Sequence, residues 1–158
     1  MTPRDPASKV MSWNALRDWR AEFWGRVVFT NGVFDLLHPG HVDLLTAARA
    51  AGDALVVGIN GDASVRRLKG DSRPVRTQAD RAYVLAALEA VDVVTVFDED
   101  TPLELVQCLL PDVIAKGGDY SEAKIVGAAE VRARGGDVRV IPLRAGQSTT
   151  SIMERMRG

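Results

Sequence analysis

From residue 26 onward, short aliphatic and β-branched runs alternate with longer segments whose apolar positions recur every three or four residues. This is the pattern expected when crossover helices join parallel strands, because a strand covered on both faces needs a nearly continuous apolar run. The pattern predicts strands at Val27–Asn31, Ala54–Asn60, Val93–Phe97, Asp112–Lys116 and Val138–Pro142, and helices over 41–51, 78–89, 103–110 and 122–134. Thr101-Pro102-Leu103-Glu104 reads as a capping box with proline at the first helical position, and Thr77 with Asp80 as a weaker one. Gly52 and Gly135 stand where two helices need a left-handed terminating residue. The expected fold is α/β: one domain built on a doubly wound, five-stranded parallel sheet of order 3-2-1-4-5. In such sheets a ligand sits beyond the carboxyl ends of the strands, where the strand order reverses.

Ahead of the first strand, residues 12–24 form an additional helix bearing Trp13, Leu16, Trp19 or Arg20, and Phe23 along one stripe. The stripe is expected to pack on the sheet edge, with a homodimer contact as the alternative. The 158 residues suffice for one core. Twenty basic residues against 21 acidic ones leave a net charge of −1, which argues against a nucleic-acid partner while allowing a local phosphate site. No stretch approaches the ~20 apolar residues of a membrane span, and the polar N-terminus has no signal-peptide core, so a cytoplasmic protein without a membrane partner is expected. The lone Cys108 lies on an apolar run and reads as a small core residue.

Chemistry concentrates in the loops that follow the strands. Thr30-Asn31-Gly32-Val33-Phe34-Asp35-Leu36-Leu37-His38-Pro39-Gly40-His41 contains both histidines of the chain. A tight Pro39-Gly40 turn would aim the two imidazoles to one side, toward the unpaired N–H groups of the next helix, and so make a phosphate site. Zinc is the competing chemistry, but two histidines with no clear third ligand hold zinc poorly, and no residue is named as a metal ligand. Residues 66–76 read as a loop with five cations against one acid, among them Lys69 as a point charge and arginines able to grip phosphate oxygens in pairs. Lys116-Gly117-Gly118-Asp119 offers a charge, two positions for close backbone approach and an acceptor for sugar hydroxyls, with Asp62 as a further contact. Ser148, Thr149 and Thr150 supply donors before a last helix, whose cap is expected from Ser151 with Glu154.

Gly32-x-Phe34-Asp35-x-x-His38-x-Gly40-His41 resembles the signature of the cytidylyltransferase-type nucleotidyltransferases, and Ser148-Thr149-Thr150 resembles their second, hydroxyl-rich motif. The likeness runs from about Val27 to the C-terminus. With the 66–76 loop and the Lys116–Asp119 segment, it is closest to members that adenylylate a heptose 1-phosphate. It departs from them in Val33, where many relatives have cysteine, and in Gln147 before the hydroxyl run. The resemblance implies a Rossmann-like fold and transfer of AMP from ATP, with Mg²⁺, to D-glycero-D-manno-heptose 1-phosphate. His38, His41, Lys69 and Arg81 would be catalytic. Thr30, Asn31, Gly32, Phe34, Asp35, Gly40, Ser148, Thr149 and Thr150 would hold the nucleotide, and Asp62, Lys116, Gly117, Gly118 and Asp119 the acceptor. A sugar kinase, fused to this activity in some bacteria, would be a separate partner. Two alternatives stay open at this level: CTP or a different small acceptor such as glycerol 3-phosphate, and a non-catalytic nucleotide-binding module.

Overall fold

The computed structural model describes residues 2–118, 121–143 and 148–158. Its strands β1 (Val27–Gly32), β2 (Ala54–Asn60), β3 (Val93–Phe97), β4 (Val113–Gly117) and β5 (Asp137–Ile141) form one sheet in the order β3-β2-β1-β4-β5, as expected. All neighbouring pairs are parallel, with Val27 opposite Ala54 and Gly32 opposite Ile59 along the central pair. The order reverses between β1 and β4, so the crevice for a ligand opens there.

The helices are α1 (Trp13–Glu22), α2 (Pro39–Arg49), α3 (Asp62–Lys69), α4 (Gln78–Ala86), α5 (Leu103–Leu109), α6 (Ala128–Ala133) and α7 (Thr149–Arg157). Successive strand residues point to opposite faces, so each strand feeds two cores. On one face Val28, Leu55, Val57, Ile59 and Val113 meet Leu45 and Ala48 of α2 and Leu85 and Ala86 of α4, all fully buried. On the other, Val27, Phe29, Val56 and Ile114 meet Leu16 of α1, Leu105 and Leu109 of α5 and Val131 of α6. This double coverage is why the strands read as unbroken apolar runs. No helix among the described residues is long and apolar enough to cross a membrane.

Several local expectations are corrected. The α1 stripe lies mainly on the sheet face beside α5, and only Trp13 reaches the edge, its Nε1 donating to the Val96 carbonyl of β3 at 2.9 Å. The preceding segment adds Met11 N–H to the Val94 carbonyl at 2.9 Å, so the outer edge of β3 is partly closed. Thr77 caps α4 through Asp80 N–H as expected, whereas the box at Thr101 does not form: α5 starts one residue late, with Pro102 at the cap position. Gly135 has a φ of +82°, but Gly52 is needed for closeness instead, since a Cβ there would lie 2.7 Å from the Arg26 carbonyl oxygen. The helix expected over 122–134 splits into a 3-10 turn at Glu122–Lys124 and α6, because at Gly127 the chain passes within contact of Ile114 and Val106 at a φ of +89°. The segment 66–76 is not all loop: its first four residues are the last turn of α3. Cys108 is half-buried on α5 and not a core residue.

Candidate active site

Pro39 is the first residue of α2 and not part of a turn between the histidines. This changes the geometry expected from sequence but improves its outcome. His38 becomes the residue at the helix cap and His41 lies three places on, one helical turn along the same face. Their rings stack with centroids 3.7 Å apart at 23°. Phe34, buried and with a φ of +49°, lays its own ring against His41 at 5.0 Å. Burial lowers the pKa of both imidazoles, and for His41 burial followed by the neighbouring His38 brings it to about 4. At neutral pH both rings are therefore uncharged, each with one N–H to donate. Neither Nδ1 has a hydrogen-bond partner among the described residues.

The rings open into a cavity of about 320 Å³ at the carboxyl ends of β1 and β4, within the usual range for small-ligand sites. Asn31, Gly32 and Phe34 form its floor, Gly40 brings in the backbone of α2, and Val33, Leu44 and Leu143 give it an apolar wall. Lys69 stands at the last residue of α3, Arg73 on the following loop and Lys116 near the end of β4. Burial lowers the pKa of Lys116. Among the described residues three cations and no carboxylate line the cavity, in a chain whose net charge is −1.

From the opposite side α7 points its N-terminus into the same space, with Ser148, Thr149 and Thr150 on the wall. Ser148, not Ser151, is the cap: its Oγ accepts from Ser151 N–H at 2.9 Å. Thr149 Oγ1 donates to the Leu36 carbonyl at 3.2 Å and so fastens the helix to the loop that follows β1. The N–H groups of Thr149 and Thr150 have no partner within the helix and face the cavity with the positive end of its dipole. Two helix N-termini and three cations thus converge on one volume, an arrangement suited to a polyphosphate.

Five of the expected site residues lie elsewhere. Thr30 is fully buried in β1 beneath the cavity. Asp35 is 2% exposed and turned toward the loop at 73–76, where its carboxylate pairs with Arg73 at 2.8 Å. Arg81 is 1% exposed, and its guanidinium donates to the Val33, Asn60 and Arg76 carbonyls and to Asp62 Oδ1 at 2.7–3.0 Å. It borders a second cavity, beyond the loop that follows β1, together with Val84 and Ile152. Asp62 is committed to Arg81, and Gly118 hands its N–H to the Ile141 carbonyl at 3.0 Å. Asp119 lies outside the described residues, as does Gln147. Of the basic segment only Lys69 and Arg73 reach the site, Arg67 being paired with Asp100 at 3.0 Å on the surface.

The described residues hold no group of three or more histidine, cysteine or acidic side chains placed to bind a metal. A divalent cation would fit this cavity as the companion of a polyphosphate, ligated by phosphate oxygens and water.

The bifunctional protein HldE of Rhodopseudomonas palustris (strain BisA53) is 59% identical over 140 residues, which is 89% of this chain and 28% of that protein. Its counterpart in Bradyrhizobium sp. (strain ORS 278) is 58% identical over 139 residues, 88% of this chain and again 28% of the relative. The chain thus spans less than a third of the length of these curated relatives. The lipopolysaccharide core biosynthesis protein from Thermoplasma volcanium GSS1 superposes with a TM-score of 0.62 at 28% identity, covering 76% of this chain and 97% of that one. Pantoate-beta-alanine ligase from Francisella tularensis, at 14% identity and a TM-score of 0.63 over 92% of this chain and 72% of its own, shares the fold. Residues 29–155, from within β1 to within α7, match the family model described as cytidylyltransferase-like, and the chain belongs to that family.

Proposed function

We propose that this protein is a nucleotidyltransferase that moves AMP from ATP onto D-glycero-D-manno-heptose 1-phosphate, giving ADP-heptose and pyrophosphate. The observation that carries the reading is the stacked, uncharged pair His38 and His41 facing Lys69, Arg73, Lys116 and the α7 N-terminus across one cavity. The acceptor brings an ionised phosphate oxygen, so no strong base is required. That oxygen bonds to the α-phosphorus as the bond from the α-phosphorus to the bridging oxygen breaks, and pyrophosphate leaves with the electron pair. Charge grows on the transferring and departing phosphates, and the histidine N–H groups with the two helix N-termini stabilise it. The lysines and Arg73 hold the rest of the triphosphate, and Mg²⁺ enters with ATP as part of the substrate. No side chain is placed as an activated nucleophile, so transfer is direct.

The acceptor's 1-phosphate has to be installed by a kinase, which accords with a bifunctional architecture in the longer relatives. Pyrophosphate release tests the reading: ATP against CTP, each with heptose 1-phosphate and with glycerol 3-phosphate. Turnover with ATP and the heptose phosphate is expected to exceed the other three pairings. Preferential use of CTP or glycerol 3-phosphate would move the assignment to another reaction of the family, and nucleotide binding without turnover on any acceptor would favour a binding module.

A further inference from the structure

We propose that Asp35 is a positioning residue that holds Arg73 in the cavity as an anion-binding arm, and that it does not itself touch the nucleotide. Its side chain is fully buried, and both oxygens are already engaged. Oδ2 accepts from Arg73 Nε at 2.8 Å and from Val75 N–H at 2.9 Å, while Oδ1 accepts from Arg76 N–H at 2.9 Å and shares Val75 N–H at 3.0 Å. Burial by itself would favour the neutral acid, but these N–H groups and the Arg73 guanidinium outweigh it and hold the carboxyl below its ordinary range. An ionised Asp35 placed against the phosphates would repel them. Turned away, it serves as a fixed anchor.

Arg73 has the complementary arrangement. Its side chain is 12% exposed and lines the cavity, with Nε spent on Asp35. Its two terminal nitrogens have no hydrogen-bond partner among the described residues. A guanidinium presents donors on more than one edge, so anchoring one edge leaves another for a phosphate in bidentate fashion. The surrounding loop is otherwise exposed: Val75 is half-exposed, and Arg76 is outside the core. Without Asp35, little in this stretch would fix where Arg73 points. The first sequence motif thus acts on the cavity twice, directly through its histidines and at one remove through its aspartate.

This proposal rests on the reading that the cavity takes a nucleoside triphosphate. The test is a double-mutant cycle of Asp35→Asn, Arg73→Gln and the pair, read by calorimetric Mg·ATP affinity and by the KM and kcat of pyrophosphate release. Each single change is expected to weaken ATP about tenfold, and the pair no more than about twofold beyond Arg73→Gln, because a lost anchor and a lost arm are one loss. Arg73→Lys, which keeps the ion pair but removes the second edge, should weaken ATP to about the same degree as Arg73→Gln. Effects that multiply in the double variant would overturn the proposal, as would a fall in kcat for Asp35→Asn at unchanged ATP affinity. Should Asp35→Asn fail to fold in a thermal melt, Arg73→Lys decides alone: wild-type ATP affinity there sinks the anchored arm. If wild type binds ATP but turns over no acceptor, the functional reading fails while the affinity cycle still judges this one.

Discussion

His41 carries the clearest consequences at the scale of single residues. If its N–H stabilises charge on the transferring phosphate, His41→Ala should lower kcat by about 10²–10³-fold, as for one lost oxyanion donor, with a much smaller change in ATP affinity. Equal loss in kcat and affinity, measured by pyrophosphate release and calorimetry, would contradict that role. The same residue makes folding pH-dependent. Its pKa falls from the ordinary 6.5 to about 4 in the folded chain, so between these values the unfolded state binds more protons. Stability should therefore drop as pH is lowered from about 6.5 toward 4, and the His41→Ala variant should show a flatter acid limb in urea midpoints over that window. Arg81 belongs to this scale as well. Its four hydrogen bonds join the loop after β1, the end of β2, the start of α3 and the loop before α4. Arg81→Met should destabilise by about 3–5 kcal/mol, since it strands three carbonyls and leaves Asp62 without its counter-charge.

At the scale of elements, strand positions were legible because each strand is covered on both sides, and an aspartate marks several of their starts. Asp53, Asp92 and Asp112 accept the N–H groups of Arg26, Leu55 and Val27 at 2.6–2.8 Å, holding the edge of the sheet opposite the cavity. Helix α3 escaped the reading because its last turn is basic: of its apolar residues Ala63, Val65 and Leu68 only Val65 is buried, and Arg66, Arg67 and Lys69 read as the start of a charged loop. The cue that could have found it is Gly70, a terminating glycine at φ +98° after a basic last turn. Arg81 reads from sequence like any surface arginine one turn into a helix, and only the meeting of four distant segments reveals why it is buried. The partners of Asp35 are equally hidden in the sequence, since Arg73 and Arg76 lie about forty positions away in the chain. Leu16, fully buried between α5 and the sheet, gives a direct check on α1: Leu16→Ala should cost about 2–5 kcal/mol in chemical denaturation. Little change would mean that α1 is not part of the core.

For the molecule as a whole, a net charge of −1 coexists with a cavity lined by Lys69, Arg73 and Lys116. Attraction of a polyanion is then local, and raising ionic strength from about 0.05 to 0.5 M should increase the KM for ATP with little effect on kcat. An insensitive KM would show that hydrogen bonds from the backbone dominate over the cations. The sheet order and the place of the histidine loop at the strand ends followed from general rules of open parallel sheets and the meeting with the hydroxyl run from the family resemblance, whereas the loop between α3 and α4 had to be seen. The fastening of α7 has a further consequence. This helix contributes no buried residue, while the last large core contact upstream is Val138 in β5. During synthesis every buried residue among the described ones is made before residue 148 leaves the ribosome, so the wall that α7 gives to the cavity is added after the scaffold. The buried residues that hold the sheet and the hydroxyls that α7 brings to the cavity thus lie in separate stretches of the chain, so substitutions on the outer face of α7 should leave the stability of the sandwich nearly unchanged.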